Sequence, residues 1–365
     1  MDEGIQADFM NNEKKVLVAM SGGVDSSVTA ALLKQKGFEV VGLYMKFLPR
    51  TDRKKEPVSE EKSAEAAVCM GIEHYTIDLN STFHKKVVSY FIKEYTLGNT
   101  PNPCVVCNPF MKFDTLLTES RRIGASYIAT GHYVRIERNL DTGAFYMKRA
   151  ADKKKDQSYF LYLLSQKQLS RTLTPLGDIS KNRVIEKAGA LRLPAAGQKE
   201  SQEICFIPDN DYVSFIKEKA KAGFAEGPIM DREGNILGEH RGYARFTVGQ
   251  RRGLRLSAPH PLYVLGIDPK KNAVIVGPEE RLYKNTFKAN RLNWISGQTL
   301  ESPLSVKAQI RYNHRAQEAI VSPKGPGVVQ VEFKEPQRAV TPGQSVVFYD
   351  RDTLLGGGTI IRDRT

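Results

Sequence analysis

No apolar run in this 365-residue chain is long enough to cross a bilayer as a helix, so a membrane-embedded protein is not expected. Cysteine is scarce. The four present, Cys69, Cys104, Cys107 and Cys205, do not make a disulfide framework in a chain of this length. Cys104 and Cys107 are spaced CxxC, but there is no second CxxC or CxxH, and a four-ligand structural zinc would lack half its donors. Acidic residues are outnumbered. The 54 Lys and Arg face 41 Asp and Glu, and the net charge of +13 suits a polyanionic partner such as nucleic acid. Internal repeats and low-complexity tracts are also lacking. The first 14 residues are polar and mixed in charge, without an apolar signal core. They read as a frayed tail, and a cytoplasmic location is expected.

What is present has two textures. Up to about Pro208, helical patterns alternate with short apolar runs such as 75–79 and 127–130, the signature of a parallel α/β sheet. Residues 84–95, 110–122 and 210–221 read as helices. The apolar stretch 64–70 also reads as helical, with Cys69 in its core. From Gly227 onward, short β-rich runs are broken by Gly, Pro and Asn, and the last part suits a small barrel or sandwich. The expected division is 1–209, 210–282 and 283–365.

The most informative segment is Ser21-Gly22-Gly23-Val24-Asp25-Ser26-Ser27. It follows an apolar strand-like run, 16–20, and precedes a helical one, 28–36, closed by Gly37; a second strand-like run, 38–45, comes next. Such a turn aims backbone N–H groups and a helix N-terminus at an anion. Gly22 and Gly23 let the backbone approach a phosphate, the serines add hydroxyl donors, and Asp25 makes sense if Mg²⁺ accompanies the phosphates. No Lys follows the glycines as in GxxxxGK[ST], and the spacing is not GxGxxG. The segment resembles the SGGxDS loop of enzymes that split ATP into AMP and pyrophosphate.

The cysteines leave more than one reading open. Cys104 and Cys107 sit in a Pro-broken loop, 99–108, and could be a dithiol pair or a nucleophile with a neighbour. A helix N-terminus or a basic group nearby would raise the thiolate fraction and hence the reactivity. Cys205, flanked by Ile204 and Phe206-Ile207, reads locally as a small core residue.

Several motifs in a fixed order carry a resemblance over residues 15–358. They are the SGGVDSS loop, Thr100-Pro-Asn-Pro-Cys-Val-Val-Cys-Asn, Thr130-Gly-His-Tyr, Lys155-Asp-Gln-Ser-Tyr-Phe-Leu, Ile204-Cys-Phe-Ile, Thr247-Val-Gly-Gln-Arg-Arg-Gly-Leu, Arg311-Tyr and Thr341-Pro-Gly-Gln-Ser. The ordered set resembles the bacterial tRNA-specific 2-thiouridylases. The resemblance implies a parallel-sheet α/β domain of the adenine nucleotide α-hydrolase-like (PP-loop) type, then a small β-rich domain and a C-terminal β-barrel. It implies ATP-dependent 2-thiolation of the wobble uridine in tRNAs for Lys, Glu and Gln. ATP, with Mg²⁺, would adenylate the uridine 2-oxygen, and a cysteine persulfide charged by an upstream sulfur-carrier protein would supply the sulfur.

Residue by residue, Cys107 resembles the nucleophile and Cys205 the persulfide carrier. Cys104 stands where some relatives have an Asp suggested as general acid/base. An iron–sulfur cluster on Cys104, Cys107 and Cys205 is the alternative way to present sulfur, and no other metal site is expected. Ala19, Met20, Ser21, Gly22, Gly23, Val24, Asp25 and Ser26 match the ATP loop, with Met45 on the adenine side and Gly131 as a further nucleotide contact. Asn102, Pro103 and Cys104 match positions beside the target base, which must be unstacked to reach the site. His132, Lys155, Asp156, Gln157, Arg311, Tyr312 and Gln344 match tRNA contacts. The segment 194–203 is expected to rearrange when tRNA binds. Two other classes remain: an SGGxDS ligase or amidotransferase acting on a small molecule, and an RNA-binding module with a vestigial nucleotide loop. The first predicts AMP release stimulated by a metabolite and not by tRNA. The second predicts tRNA binding indifferent to ATP.

Overall fold

The computed structural model describes residues 14–48, 59–194, 196–197, 204–207, 211–220 and 223–362. The expected N-terminal tail and most of segment 194–203 lie outside them.

Strands β1 (Lys15–Ala19), β2 (Glu39–Lys46), β3 (Glu73–Asp78) and β4 (Tyr127–Ala129) belong to a five-stranded parallel sheet in the order β3-β2-β1-β4-β7. Strands β5 (Val134–Arg138) and β6 (Phe145–Arg149) form a hairpin outside that sheet, and β7 (Thr172–Leu173) completes its edge. The continuous apolar run of β1 reflects burial on both faces. Leu17 points into one core cluster with Leu43, Phe113 and Ile128, while Val16 and Val18 point into another with Ala30, Leu33 and Ala66. The order of strands reverses between β1 and β4, and ligands of such sheets bind outside the strand carboxyl ends at that point.

Helix Val24–Gln35 begins four residues earlier than the apolar pattern suggests, inside the SGGVDSS segment itself. Two expected helices, 84–95 and 110–122, instead carry a π-helical turn at their N-terminal ends, His84–Val88 and Asn108–Phe113. Helix Ser59–Met70 forms, but Cys69 is exposed and not core. The buried stripe of that helix is Ser63, Ala66 and Ala67, and Cys69 falls outside it.

Strands β8 (Glu226–Met230), β9 (Ile236–Arg241), β10 (Tyr263–Asp268) and β11 (Ala273–Gly277) form a four-stranded sheet in the order β10-β11-β8-β9, with its own core of Ile229, Val264, Val274 and Val276. The remaining strands are β12 (Tyr283–Trp294), β13 (Leu304–Gln309), β14 (Gln317–Pro323), β15 (Val329–Arg338), β16 (Ser345–Asp350) and β17 (Thr353–Ile360). They run β12-β15-β14-β13-β16-β17 and close through β12–β17 pairing. Closure depends on β12, which pairs with β15 up to Ala289 and with β17 from Ala289 onward, across a register shift. The β5–β6 hairpin extends this barrel, with β6 pairing to β17. Residues early in the chain therefore complete a sheet made by its last third.

Candidate active site

The SGGVDSS segment is closed by its own side chains. The Ser26 hydroxyl donates to the Gly23 carbonyl at 3.0 Å and accepts from the Ser21 N–H at 3.1 Å. The Ser27 hydroxyl donates to the same carbonyl at 3.0 Å. Gly23 is the N-cap of helix Val24–Gln35 and supplies no side-chain cap, so first-turn N–H groups face outward unclaimed by a capping side chain. Gly22 has φ 79°, and a Cβ there would lie 2.5 Å from the Ser59 carbonyl oxygen. A side chain at position 22 would be strained and would clash. Met20 and Met45 are buried with side chains in the core, and the Met20 N–H and C=O are taken by Leu43 and Ser63. Any part Met20 plays toward a nucleotide is therefore in shaping the strand end, not in direct hydrogen bonding.

Asp25 is not an open carboxylate. Its Oδ1 accepts from Tyr133 Oη at 2.7 Å and from Lys181 Nζ at 2.7 Å. Tyr133 ends the segment Thr130–Tyr133 that follows β4. Within it, Gly131 abuts the loop, and a Cβ there would lie 2.9 Å from the Asp25 carbonyl carbon. His132 turns the other way. It stacks on Phe113 with centroids 5.9 Å apart and pairs with Thr130 Oγ1 at 2.9 Å. Burial first, and then the Lys112 ammonium, push its pKa down to about 3, so the ring is neutral at physiological pH. Adjacent residues thus touch the phosphate-type loop on one side and the cysteine region on the other.

Cys104 and Cys107 lie on the short helix Pro103–Cys107, capped by Asn102, whose Oδ1 accepts from the Cys104 N–H at 3.1 Å. Asn102 and Pro103 therefore hold the start of this helix. Cys205 comes to the same place although it is distant in sequence. Phe206, one residue on, packs edge-on against Phe83 and Phe91, at 5.6 and 5.4 Å, in the cluster that contains Cys107. All four cysteines are free. Cys104 and Cys205 are exposed residues, yet the surrounding protein desolvates both thiols enough to raise their pKa values. Cys107 is buried and its thiol is pushed up to about 12, by burial foremost; Cys205 and Cys104 add to the rise and Lys112 opposes it. An enlarged thiolate fraction, one expectation from the sequence, is thus not found. Desolvation outweighs both the five-residue helix and the ammonium.

Lys112 is the cation that sequence reading missed. It acts electrostatically on Cys104, Cys107, Cys205 and His132. Its place follows from the π-turn Asn108–Phe113. An i→i+5 repeat sets residue 112 over residue 107, whereas five residues of α-helix make about 1.4 turns and would not align them. Among the described residues, no group of three or more His, Cys, Asp and Glu side chains is gathered so as to hold a metal ion. The iron–sulfur alternative therefore finds no ligand set there.

The expected tRNA contacts divide. Arg311, Tyr312 and Gln344 lie near the meeting of the catalytic loop, middle sheet and barrel. A recess of about 430 Å³ is lined there by Thr100, Thr247, Arg311, Arg338 and Gln344. Gln344 Nε2 donates to the Thr100 carbonyl at 2.8 Å, tying the barrel to the loop that carries Cys104. Tyr312 packs tilted against Phe160, with centroids 4.5 Å apart. Asp156 turns inward. It is buried, with Oδ2 on Arg149 Nη1 at 2.8 Å and on the Ser158 hydroxyl at 2.8 Å, and Oδ1 accepting from the Ala150 N–H at 3.0 Å. Both carboxylate oxygens are thus engaged within the protein. Arg149 continues to Gln309 at 2.8 Å, and Gln309 donates to the Tyr312 carbonyl at 2.8 Å. Asp156 thus positions the 311–312 corner from behind. Gln157 Oε1 accepts from the Tyr133 N–H at 2.9 Å and so braces the residue that holds Asp25. Lys155 is half-buried at the edge of this network.

Comparison with known proteins gives three family matches along the chain. Residues 14–209 match the family described as "tRNA methyl transferase HUP domain", residues 214–278 the "tRNA methyl transferase PRC-barrel domain", and residues 284–360 the "Aminomethyltransferase beta-barrel domain". Among full-length relatives, the chain is 48% identical over 361 residues to "tRNA-specific 2-thiouridylase MnmA 1" of Caldanaerobacter subterraneus subsp. tengcongensis, covering 96% of this chain and 99% of that protein. It is 48% identical over 355 residues to "tRNA-specific 2-thiouridylase MnmA" of Halothermothrix orenii, covering 95% and 98%. It is 44% identical over 358 residues to the protein of the same name from Clostridioides difficile, covering 96% and 99%.

Proposed function

The chain belongs to the tRNA-specific 2-thiouridylase family, and from that premise we propose that it makes 2-thiouridine in tRNA by adenylating the wobble uridine and delivering sulfur from a cysteine persulfide. The observation that carries this reading is the convergence at the β1/β4 switch point. Gly131 and Tyr133 touch Asp25 of the SGGVDSS loop, while His132 between them stacks on Phe113 and feels Lys112, the ammonium that also acts on Cys104, Cys107 and Cys205.

The chemistry follows from the need for a leaving group. A uridine 2-oxygen leaves poorly as oxide or hydroxide. Attack of that oxygen on the α-phosphorus of ATP expels pyrophosphate and turns the oxygen into part of AMP. Backbone N–H groups of residues 22–26 hold the polyphosphate, and Mg²⁺, when bound, would add charge neutralisation at Asp25. The terminal sulfur of a persulfide on Cys205 then bonds to C2, and AMP departs with the former 2-oxygen. Cys107 attacks the Cys205 sulfur and breaks the S–S bond, leaving sulfur on the base and a Cys107–Cys205 disulfide. An external thiol reductant resets the pair, and a sulfur-carrier protein recharges Cys205. Cys104 would pass a proton, and the neutral His132 would accept one. The raised thiol of Cys107 means that it is protonated in the empty protein, so Lys112 has to act on a Cys107 that has been brought out of its apolar surroundings. Phosphates of tRNAs for Lys, Glu and Gln would be gripped by Arg311 and Lys155, with Tyr312 offering a ring face.

The test is thiolation of an unmodified wobble-uridine tRNA by purified protein with ATP and a persulfide donor, read by mass spectrometry of the nucleosides. One AMP and one pyrophosphate per 2-thiouridine are expected, with Cys107→Ser and Cys205→Ser each inactive but still binding tRNA. Normal thiolation by Cys205→Ser would remove the relay. AMP release that ignores tRNA and answers to a small metabolite would favour the ligase class.

A further inference from the structure

The loop that is to hold a polyphosphate contains one acid and no cation. That acid, Asp25, is nevertheless balanced by a lysine from 156 residues further along the chain. We infer that Lys181 is a phosphate-binding residue of the nucleotide site, parked on Asp25 while the site is empty and transferred to the β,γ-phosphates when ATP enters. The inference rests on the ATP reading of the SGGVDSS loop and goes beyond it by assigning the cation.

Three features of Lys181 carry the argument. First, it is only 8% exposed, and a buried ammonium needs a compensating charge. Asp25 Oδ1 lies 2.7 Å from its ammonium and is shared with the Tyr133 hydroxyl, and the ammonium also lies 5.9 Å from the Tyr133 ring centroid. Second, its backbone is fixed. Lys181 opens helix Lys181–Ala190, which is capped by Ser180, and its own N–H donates to Asp152 Oδ2 at 3.0 Å. Val184 and Ala188 of that helix pack with Val24 and Val28 of the helix that begins in the loop. The two helix starts are held together, and only the flexible end of the lysine is left to move. Third, the pair is a poor device for stability. Only the lysine is buried: its side chain is 11% exposed and that of Asp25 30%, so the ammonium is desolvated against a carboxylate still open to solvent, while apolar neighbours are at hand in Leu176 and Val184.

Charge accounting explains the arrangement. A lone carboxylate beside incoming phosphates would repel them. Pairing it with Lys181 makes the empty site locally neutral. As the polyphosphate settles on the loop N–H groups, its negative charge competes with Asp25, itself in the first turn of the loop's helix, for the ammonium. The SGGVDSS loop thereby obtains from a distant helix the lysine that a GxxxxGK[ST] loop carries within itself.

The experiment uses full-length protein and α,β-methylene-ATP, which cannot be split at the adenylating position. Its affinity and that of AMP are measured by calorimetry for wild type, Lys181→Gln and Lys181→Arg, with melting curves for each. Lys181→Gln is expected to lose roughly ten- to a hundredfold in affinity for the analogue, the worth of a charge-assisted hydrogen bond, while AMP binding stays within a few fold. Lys181→Arg should recover most of the loss, and tRNA affinity should not move. If Lys181→Gln alone leaves Asp25 unbalanced and the protein unfolded, Asp25→Asn/Lys181→Gln is compared with Asp25→Asn, and the same further loss for the analogue, set against unchanged AMP, is expected of the double variant relative to the single one. A folded Lys181→Gln protein that binds the analogue as wild type does, or that loses AMP equally, overturns the inference. A wild-type protein that binds neither nucleotide overturns the ATP reading itself, an outcome the wild-type titration separates from the others.

Discussion

Cys107 carries an apparent contradiction between its place and its task. It is buried among Phe83, Phe91 and Phe206, and its thiol is raised to about 12, although the reaction asks it to be a thiolate. The sign is that of any acid whose charged form is desolvated: burial favours the neutral thiol and delays ionisation. Alkylation follows the thiolate, so in tRNA-free protein exposed Cys69 should react first with iodoacetamide at pH 8. The rate at Cys107 should climb about tenfold per pH unit between pH 8 and 10, without levelling at the usual thiol range. Lys112→Met should shift that climb to still higher pH, since the ammonium opposes the rise. A Cys107 rate that levels off below pH 9, or that ignores Lys112→Met, would contradict this. Lys112 itself was not readable in the sequence. A lysine five residues after a cysteine lies off its face of an α-helix, and only the π-turn aligns the two.

That π-turn is the element on which the site depends, and it is held from outside. Gln168, buried beneath it, donates to the Pro109 carbonyl at 3.1 Å and to Asp114 Oδ1 at 2.9 Å, gripping both ends of the turn. Asn108 Nδ2 donates to the Phe160 carbonyl at 3.2 Å from the middle of the same network. Gln168→Ala should strand the buried Pro109 carbonyl, at about 1–3 kcal/mol for an unsatisfied group, and release Asp114, which is exposed and keeps water as a partner. Thiolation should fall at least tenfold while ATP-analogue binding stays unchanged, because the SGGVDSS loop lies on the other side of Thr130–Tyr133. Wild-type thiolation by a folded Gln168→Ala protein would show that the π-turn does not need this support. The helical character of 110–122 was legible from its apolar spacing. The extra residue in its first turn was not, since propensity carries no mark of a partner 50 residues away.

At the scale of the molecule, the parallel sheet and the barrel are not independent bodies. Val347, Tyr349 and Leu354 of the barrel and Ile295 beside it share one core with Leu17, Phe113, Tyr159 and Tyr162. The hairpin β5–β6 completes the barrel's sheet at β17. Glu94, buried near the end of helix Ser89–Thr96, binds Arg291 of β12 at 3.1 Å and Asn99 Nδ2 at 2.7 Å, so the approach to the cysteine loop is clamped by the barrel. A chain ended at residue 283 should therefore lose its cooperative melt and aggregate, because it would uncover a shared core and an unpaired hairpin edge. A soluble truncated protein with a sharp transition near that of the full chain would refute the shared core. No helix among the described residues is long and apolar enough to cross a membrane.

Much of the reading was local and so was settled by order along the chain. The phosphate-type loop, the parallel α/β alternation, the change to β structure after Gly227 and the ordered motif set all depend on residues near one another in sequence. Hydrophobic period, turn chemistry and glycine placement report such features directly. What required the tertiary structure was every pairing across distance: Cys205 brought to Cys107 by Phe206, Lys181 to Asp25, Asp156 turned inward to Arg149, and the β5–β6 hairpin added to a barrel built two hundred residues later. Those choices are made by burial and charge compensation summed over the whole chain, where an ammonium or carboxylate taken from water must find its counterpart wherever the packing puts it. No spacing in a single sequence records that outcome.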